Sequence, residues 1–450
     1  MRRLLLFVAV LTFTALAACA QTTQDLDAIA ARYYKPDGPG AAVLVIKDGR
    51  TLLRKGYGLA DLELRVPVTP DNIFRIGSLT KQFTTVAILQ QVQRGNIKLD
   101  DAITKYLPNA PVRGKTVTIE HLLTHTSGIP SYTDQPKFWE TMREDRKPEE
   151  LLAIAKDVPP DFDPGTSWHY DNSGYILLGM LLEKVTGTPY ADYMRKQVFE
   201  PAGLKHTDYD VNDKVIVNRA HGYSRSHGEW INAPYISMTT PYAAGALIST
   251  VDDLARWNDA LAEGKLVDPK LLARAQTSYR LSDGTMTGYG YGWGMRTYEG
   301  HRIVEHGGGI NGFQSYALAM PDDHIYVVVL ANANRSPQPS WIAQLLATTA
   351  VGKPYAPKLV ALSSDVLDRY AGTYKINAKE SFTVKRDGDH LVLDSSDEPT
   401  VAIDPTSATT FVFREAVGSV SFEGDKIAVT TYGPVQIGTK TAEANGRKAE

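Results

Sequence analysis

The segments that read as strands are split between the two ends of a long stretch, and this limits the folds open to the chain. GAAVLVIKDG (40–49) and TLLRKGYGLAD (51–61) are apolar and β-branched, joined by the turn signal Lys47-Asp48-Gly49. The next such runs come after Gly288. They are YGYGWGMRTYEG, HRIVEHGGG, NGFQSYALAMPDD and HIYVVVLANAN, with turn signals at Glu299-Gly300 and Asp322-Asp323. Between the two groups, roughly residues 100–275 read as mostly helical and rich in loops, with many Pro and Gly breakers. Strands from both ends can complete one antiparallel sheet, flanked by helices and interrupted by an inserted helical region. This is an α+β arrangement. Short helices are expected near 25–34 and 341–350.

Beyond Lys353-Pro354 the pattern changes again. YAGTYKI, SFTVKRDG, HLVLDS, PTVAID, TTFVFRE, GSVSFEGD and KIAVTTYG are seven short strand-like runs at close intervals, with turn signals at Asp387-Gly388 and Gly424-Asp425. That spacing predicts a separate antiparallel β-domain, a small barrel or sandwich, over 356–450. The polar ending TKTAEANGRKAE reads as frayed.

The single cysteine, Cys19, removes disulfides and cysteine-based metal sites from the folded part. It closes a segment with Arg2-Arg3 at its head, an apolar run from Leu4 to Leu16, and the small residues Leu16-Ala17-Ala18-Cys19. Residues 1–20 therefore read as a secretory signal. The ending resembles a bacterial lipobox, which makes Cys19 a candidate lipidation site. Cleavage after Ala20 is the competing reading. Either way the mature protein, with a main domain over 21–355, is expected outside the cytoplasm, in the periplasm. Its membrane contact would run only through a lipid on Cys19. Lys plus Arg number 48 against 51 acids, a net charge of −3 with no basic block, so no nucleic-acid partner is expected.

Three stretches can carry chemistry. In FRIGSLTKQF, Ser78 precedes a helical pattern marked by Val86, Leu89 and Val92 and ended by Gly95. Lys81, three residues on, shares its face. A serine hydroxyl needs a base to take its proton, and a lysine kept neutral by burial can be that base. The helix start adds a backbone N–H and partial positive charge for an oxyanion. Read alone, the pair is equally an N-cap serine and a solvent-facing lysine. The second stretch, WHYDNSGY, places Tyr170 and Asn172 just before the helical run YILLGMLLEKVTG. A tyrosine there can relay a proton and an asparagine can grip an amide, or the two can pack and cap. The third, His306-Gly307-Gly308-Gly309, ends a predicted strand, where glycines admit a ligand closely. A histidine beside them can hold or polarise a substrate.

Other motifs fail their context. G-x-S-x-G is absent. Gly307 to Gly312 satisfies G-x-G-x-x-G but leads into a strand, which argues against a dinucleotide. His121 and His125 have i, i+4 spacing without the H-E-x-x-H glutamate, and Ser127-Gly128 follows at once, so no metal is expected.

Together, Ser78-x-x-Lys81, Tyr170-x-Asn172 and His306-Gly307-Gly308 resemble the three active-site motifs of penicillin-recognising serine hydrolases. The Y-x-N form is similar to the branch of class C β-lactamases and D,D-peptidases, which also holds esterases and D-amino-acid peptidases. TIEHLLTHTSGIP and the run from YGYGWG to VVVLANA share the likeness, which covers most of residues 30–350, and the part opening YAGTY resembles an appended lipocalin-like β-domain. The resemblance implies an acyl-enzyme on Ser78, general acid and base duty for Lys81 and Tyr170, and substrate contacts from Asn172, His306 and Gly308. It also implies an oxyanion hole from the N–H groups of Ser78 and Gly309, and no cofactor. The implied substrate is a small molecule or peptide, possible sources including the cell wall. A binding protein of the same fold with weak catalysis is the alternative. His306 stands where many members have lysine, which weakens the case for strong β-lactamase action. Arg335, soon after the last strand, could supply the missing charge, but it reads more simply as an exposed surface arginine.

Overall fold

A computed structural model describes residues 22–334, 338–376, 381–395, 400–414, 416–430 and 435–441. Cys19, its signal segment and Arg335 lie outside these. Two compact units are present, Met1–Gly352 and Lys353–Glu450. No helix among the described residues is long and apolar enough to cross a membrane.

The first unit opens with helix α1 (residues 22–33) and the hairpin β1 (Ala41–Lys47) and β2 (Arg50–Tyr57). Asp48 and Gly49 both have positive φ, 50° and 70°, which matches the right-handed twist of the strands they join. The helical region follows. It contributes α2 (Thr80–Gln93), the short α3 (Ile119–Leu123), α4 (Asn172–Thr186) and α5 (Val251–Ala262). Four strands then return, β3 (Gly294–Tyr298), β4 (His301–Ile310), β5 (Phe313–Met320) and β6 (Ile325–Ala331), before α6 (Pro339–Ala350).

The strands form one antiparallel sheet in the order β3-β4-β5-β6-β1-β2, with Ala41 opposite Ala331 and Lys47 opposite Ile325. The sheet is thus completed by strands from both ends, as the split pattern predicts. Its central strands are continuous apolar runs because both faces are covered. Ala42, Leu44, Val328 and Leu330 join the core of the helical region, while Val43, Val45, Val327 and Val329 are buried outside that cluster. A fully buried Asn332, just past β6, fastens the edge of this core. It accepts the Gly40 N–H at 2.7 Å and donates to the carbonyls of His221 at 2.8 Å and Leu59 at 3.1 Å.

The second unit is a closed eight-stranded antiparallel barrel. Tyr374, Phe411, Phe413, Phe422 and Ile427 are among its buried side chains, and Tyr370 stacks on Phe422 at 4.2 Å. The seven expected runs are strands. The eighth, Gln436–Lys440, closes the barrel by pairing Lys440 with Tyr374. Thr439 and Lys440, read from sequence as part of a frayed tail, are therefore corrected to strand. The strand lacks an alternating apolar pattern because glycine, Gly438, fills its buried position while Ile437 is exposed.

Candidate active site

Ser78 lies in a single 3-10 turn, Gly77–Leu79, that runs directly into α2. Gly77 takes a positive φ of 49°. A Cβ there would meet the Gly309 nitrogen at 2.9 Å, so this turn lies backbone against backbone on the end of β4. Gly308 is as tightly constrained. A Cβ on it would stand 2.1 Å from the Ile76 carbonyl oxygen and 2.4 Å from Ser315 Oγ, which itself donates to that carbonyl at 2.7 Å. Gly309, by contrast, opens into free space. Gly308 seats the strand on the turn, and Gly309 faces the cleft beside Ser78.

Lys81 is fully buried one helical turn from Ser78. Its Nζ lies 3.1 Å from Ser78 Oγ, 2.8 Å from Asn172 Oδ1 and 2.9 Å from the Ala244 carbonyl. The last two atoms can only accept. A neutral amine has two N–H groups for them and one lone pair, left aimed at the serine hydroxyl. Burial pushes the Lys81 ammonium down to about 7, against an opposing pull from the buried Asp171. The ring faces of Tyr170 and Tyr175 lie 4.7 and 5.3 Å from Nζ.

Asn172 opens α4. Its N–H donates to Ser131 Oγ at 3.1 Å and its Nδ2 to Thr133 Oγ1 at 2.9 Å, leaving one amide hydrogen for a ligand. Tyr170 is half-buried, with its ring 4.4 Å from that of His125 and 6.2 Å from that of His306. The cap of α4 is Asp171, whose Oδ2 accepts from Gly174 N at 3.0 Å.

His306 is placed differently from Ser78 and Lys81. It is 1% exposed, with Nδ1 2.5 Å from the Gly307 carbonyl and Nε2 2.8 Å from Tyr289 Oη. Burial, and next the Lys81 charge, push it down to about 3, so the ring is neutral. With both nitrogens engaged inside the protein, the ring offers a substrate neither charge nor an unpartnered nitrogen, and its influence on the cleft passes through the glycines that follow. His121 and His125 do separate work. His121 completes the capping box of α3 with Thr118, whereas His125 lies beyond that helix at a φ of 59°.

The structure therefore brings Ser78, Lys81, Tyr170, Asn172 and the 307–309 strand end together around one buried amine. A model of the family described as Beta-lactamase matches residues 20–348. The chain belongs to the beta-lactamase family.

This beta-lactamase family member is 27% identical over 410 residues to Penicillin-binding protein 4* of Bacillus subtilis (strain 168), spanning 84% of the present chain and 89% of that one. Among solved structures, it is similar to the octameric penicillin-binding protein homologue of Pyrococcus abyssi, at 28% identity and a TM-score of 0.66. That match covers 93% of this chain and 99% of the other. A D-stereospecific amidohydrolase from Streptomyces sp. aligns at 30% identity and a TM-score of 0.60, covering 70% of this chain and 95% of its own. The protein is accordingly a serine hydrolase with the β-lactamase-like fold and an added C-terminal barrel.

Sequence reasoning passed over two buried polar residues of this beta-lactamase-family site, Asp171 and Tyr289, and weighed His125 only as half of a histidine pair with His121. Asp171 stands inside the Y-x-N motif and caps a helix, a signal that was available. Nothing in local spacing marks the Ala244 carbonyl, which completes the Lys81 environment from a short helix at Tyr242–Gly245.

Proposed function

We propose that the protein is an exported hydrolase that cleaves amide or ester bonds through an acyl-enzyme on Ser78, with D-amino-acid amides and short neutral esters as its substrate class. The observation that carries this reading is the Lys81 environment, two obligate acceptors plus the serine hydroxyl around one buried Nζ. The Lys81 lone pair takes the Ser78 proton as Oγ bonds to the substrate carbonyl carbon. The oxyanion is held by the N–H groups of Ser78 and Gly309, each such donor being worth roughly 3 kcal/mol of barrier. The same proton, passed through Lys81 and Tyr170, goes to the leaving group as its bond to the carbonyl carbon breaks. Water then reverses these roles to release Ser78.

The neutral, enclosed His306 supports substrates without a terminal carboxylate over β-lactams and D,D-carboxypeptide ends. The likeness to the Streptomyces sp. D-stereospecific amidohydrolase supports the D-amide class. The test is labelling with a fluorescent phosphonate, with the adduct located by mass spectrometry, followed by turnover of a panel of D-amino-acid amides, short esters and a chromogenic β-lactam. Modification at Ser78 and turnover of the neutral amides or esters are expected. Substrate binding without hydrolysis across the whole panel would leave a binding protein instead.

Export and lipidation at Cys19 belong to the same proposal. A metabolically supplied alkyne fatty acid is expected to label the wild type and not Cys19→Ser. Equal labelling of both would remove the anchor.

A further inference from the structure

Behind the cleft runs a buried chain of side chains that the reaction above does not use. His125 Nδ1 accepts the backbone N–H of Asp171 at 3.0 Å. An accepting ring nitrogen carries no proton, so the neutral ring has its proton on Nε2, 3.3 Å from Tyr289 Oη. At the far end, His306 Nδ1 faces the Gly307 carbonyl at 2.5 Å. A carbonyl only accepts, which puts the His306 proton on Nδ1 and leaves Nε2 bare. Tyr289 Oη lies 2.8 Å from that bare nitrogen and has one proton to give. The neighbouring Tyr175, which also contacts the Tyr289 hydroxyl, gives its own proton to the Leu123 carbonyl at 3.1 Å and so does not donate to Tyr289. All donors thus point one way, from His125 through Tyr289 to His306 and on to Gly307. His125, Tyr289 and His306 are each at most 1% exposed.

We propose that His125 and Tyr289 are positioning residues, whose one-directional chain to His306 ties the segment carrying Tyr170 and Asn172 to the strand end carrying Gly308 and Gly309, and which holds only while both histidines are neutral. A second proton on His125 would set Nδ1–H against the Asp171 N–H, a backbone group that cannot turn away without moving Tyr170 and Asn172. A second proton on His306 would set Nε2–H against the Tyr289 hydroxyl hydrogen. The groups facing the chain are Lys81 and Tyr170 on the cleft side, Asp171 and His169 before α4, and Tyr175 on α4. Burial first, then the Lys81 charge, keeps both rings far below the ordinary histidine range.

This inference rests on Ser78, Lys81, Tyr170 and Asn172 being the reacting groups, and the tests separate the two. Nitrogen-15 NMR of histidine-labelled wild type is expected to show His125 with its proton on Nε2 and His306 with its proton on Nδ1, neither titrating between about pH 5 and 8. Titration of either ring in that window, or the same tautomer in both, overturns the chain whatever the enzyme turns over. Tyr289→Phe keeps the ring and removes the link. On a substrate accepted by the wild type, it is expected to lower kcat about tenfold or more with KM within about twofold, and to slow phosphonate labelling in proportion while leaving its final extent at Ser78 unchanged. His125→Asn, which keeps an acceptor for Asp171 N–H and loses the donor to Tyr289, is the second variant, with the same expected split. Unchanged kcat in a folded variant of either kind, with only the melting temperature lowered, makes these residues structural and overturns the proposal. Wild-type protein that neither labels nor turns over fails the Ser78 reading, and the NMR result still decides the chain.

Discussion

Ser78→Ala and Lys81→Met are each expected to lower kcat on an accepted amide or ester by about 10⁴-fold, and the double variant to fall no further. The two groups perform one act, transfer of the serine proton to the amine as Oγ attacks, so removing either removes the whole. Methionine suits position 81 because it fills the buried channel without a polar group. Steady-state kinetics on the three variants, with circular dichroism to verify folding, checks this. Additive losses would mean that Lys81 contributes by some route other than the Ser78 proton. The pH profile carries the same mechanism. Lys81 accepts a proton only when neutral, so kcat/KM is expected to rise with pH through about 7, where burial places its titration. Burial raises the Asp171 carboxyl to about 7 as well, and its ionised form opposes the burial of Lys81 by favouring the charged amine. Asp171→Asn, which keeps an oxygen for the Gly174 cap, should therefore shift that rise to lower pH. A shift to higher pH would contradict the assignment of the limb to Lys81.

Gly308→Ala is expected to cost about 1–3 kcal/mol of stability and at least about 100-fold in kcat, although it adds a single methyl group. The methyl has nowhere to go. Both of its nearest neighbours, the Ile76 carbonyl and Ser315 Oγ, are already bonded to each other, and Ile76 immediately precedes the Ser78 turn. Relief requires β4 to move off the turn, which separates Ser78 from Gly309. Gly309→Ala is the internal control, because its Cβ meets no atom within 4 Å and its backbone N–H is retained. Thermal melts should find Gly308→Ala lowered by several degrees and Gly309→Ala close to wild type. Equal melting temperatures for the two would mean that the strand end is not seated on the turn.

The local parts of this site were legible in the sequence because their chemistry sits within three or four consecutive residues. Ser78 and Lys81 share a helical turn, Tyr170 and Asn172 flank a helix start, and the glycines end a strand. The split strands were legible for a similar reason, since each is a short apolar, β-branched run set off by turn residues. What the sequence does not display is the set of contacts made only on folding. The burial that makes Lys81 a base comes from α4 and from the Ala244 carbonyl. The neutrality of His306 depends on its enclosure and on the nearby Lys81 charge, which no spacing reveals. The eighth barrel strand escaped because glycine occupies the inward position at 438, where a pattern search looks for an apolar side chain.

The pairing of β1 with β6 also has a temporal meaning. Ala41 is among the first residues of the unit to leave the ribosome and its partner Ala331 among the last, so the sheet's central seam stays open through nearly all of the unit's synthesis. Until β6 arrives, β1 presents an unpaired edge beside β2, apolar from Ala41 to Ile46. A chain of this design cannot close its catalytic half early. During that interval the open edge of β1 is exposed to mispairing with other strands.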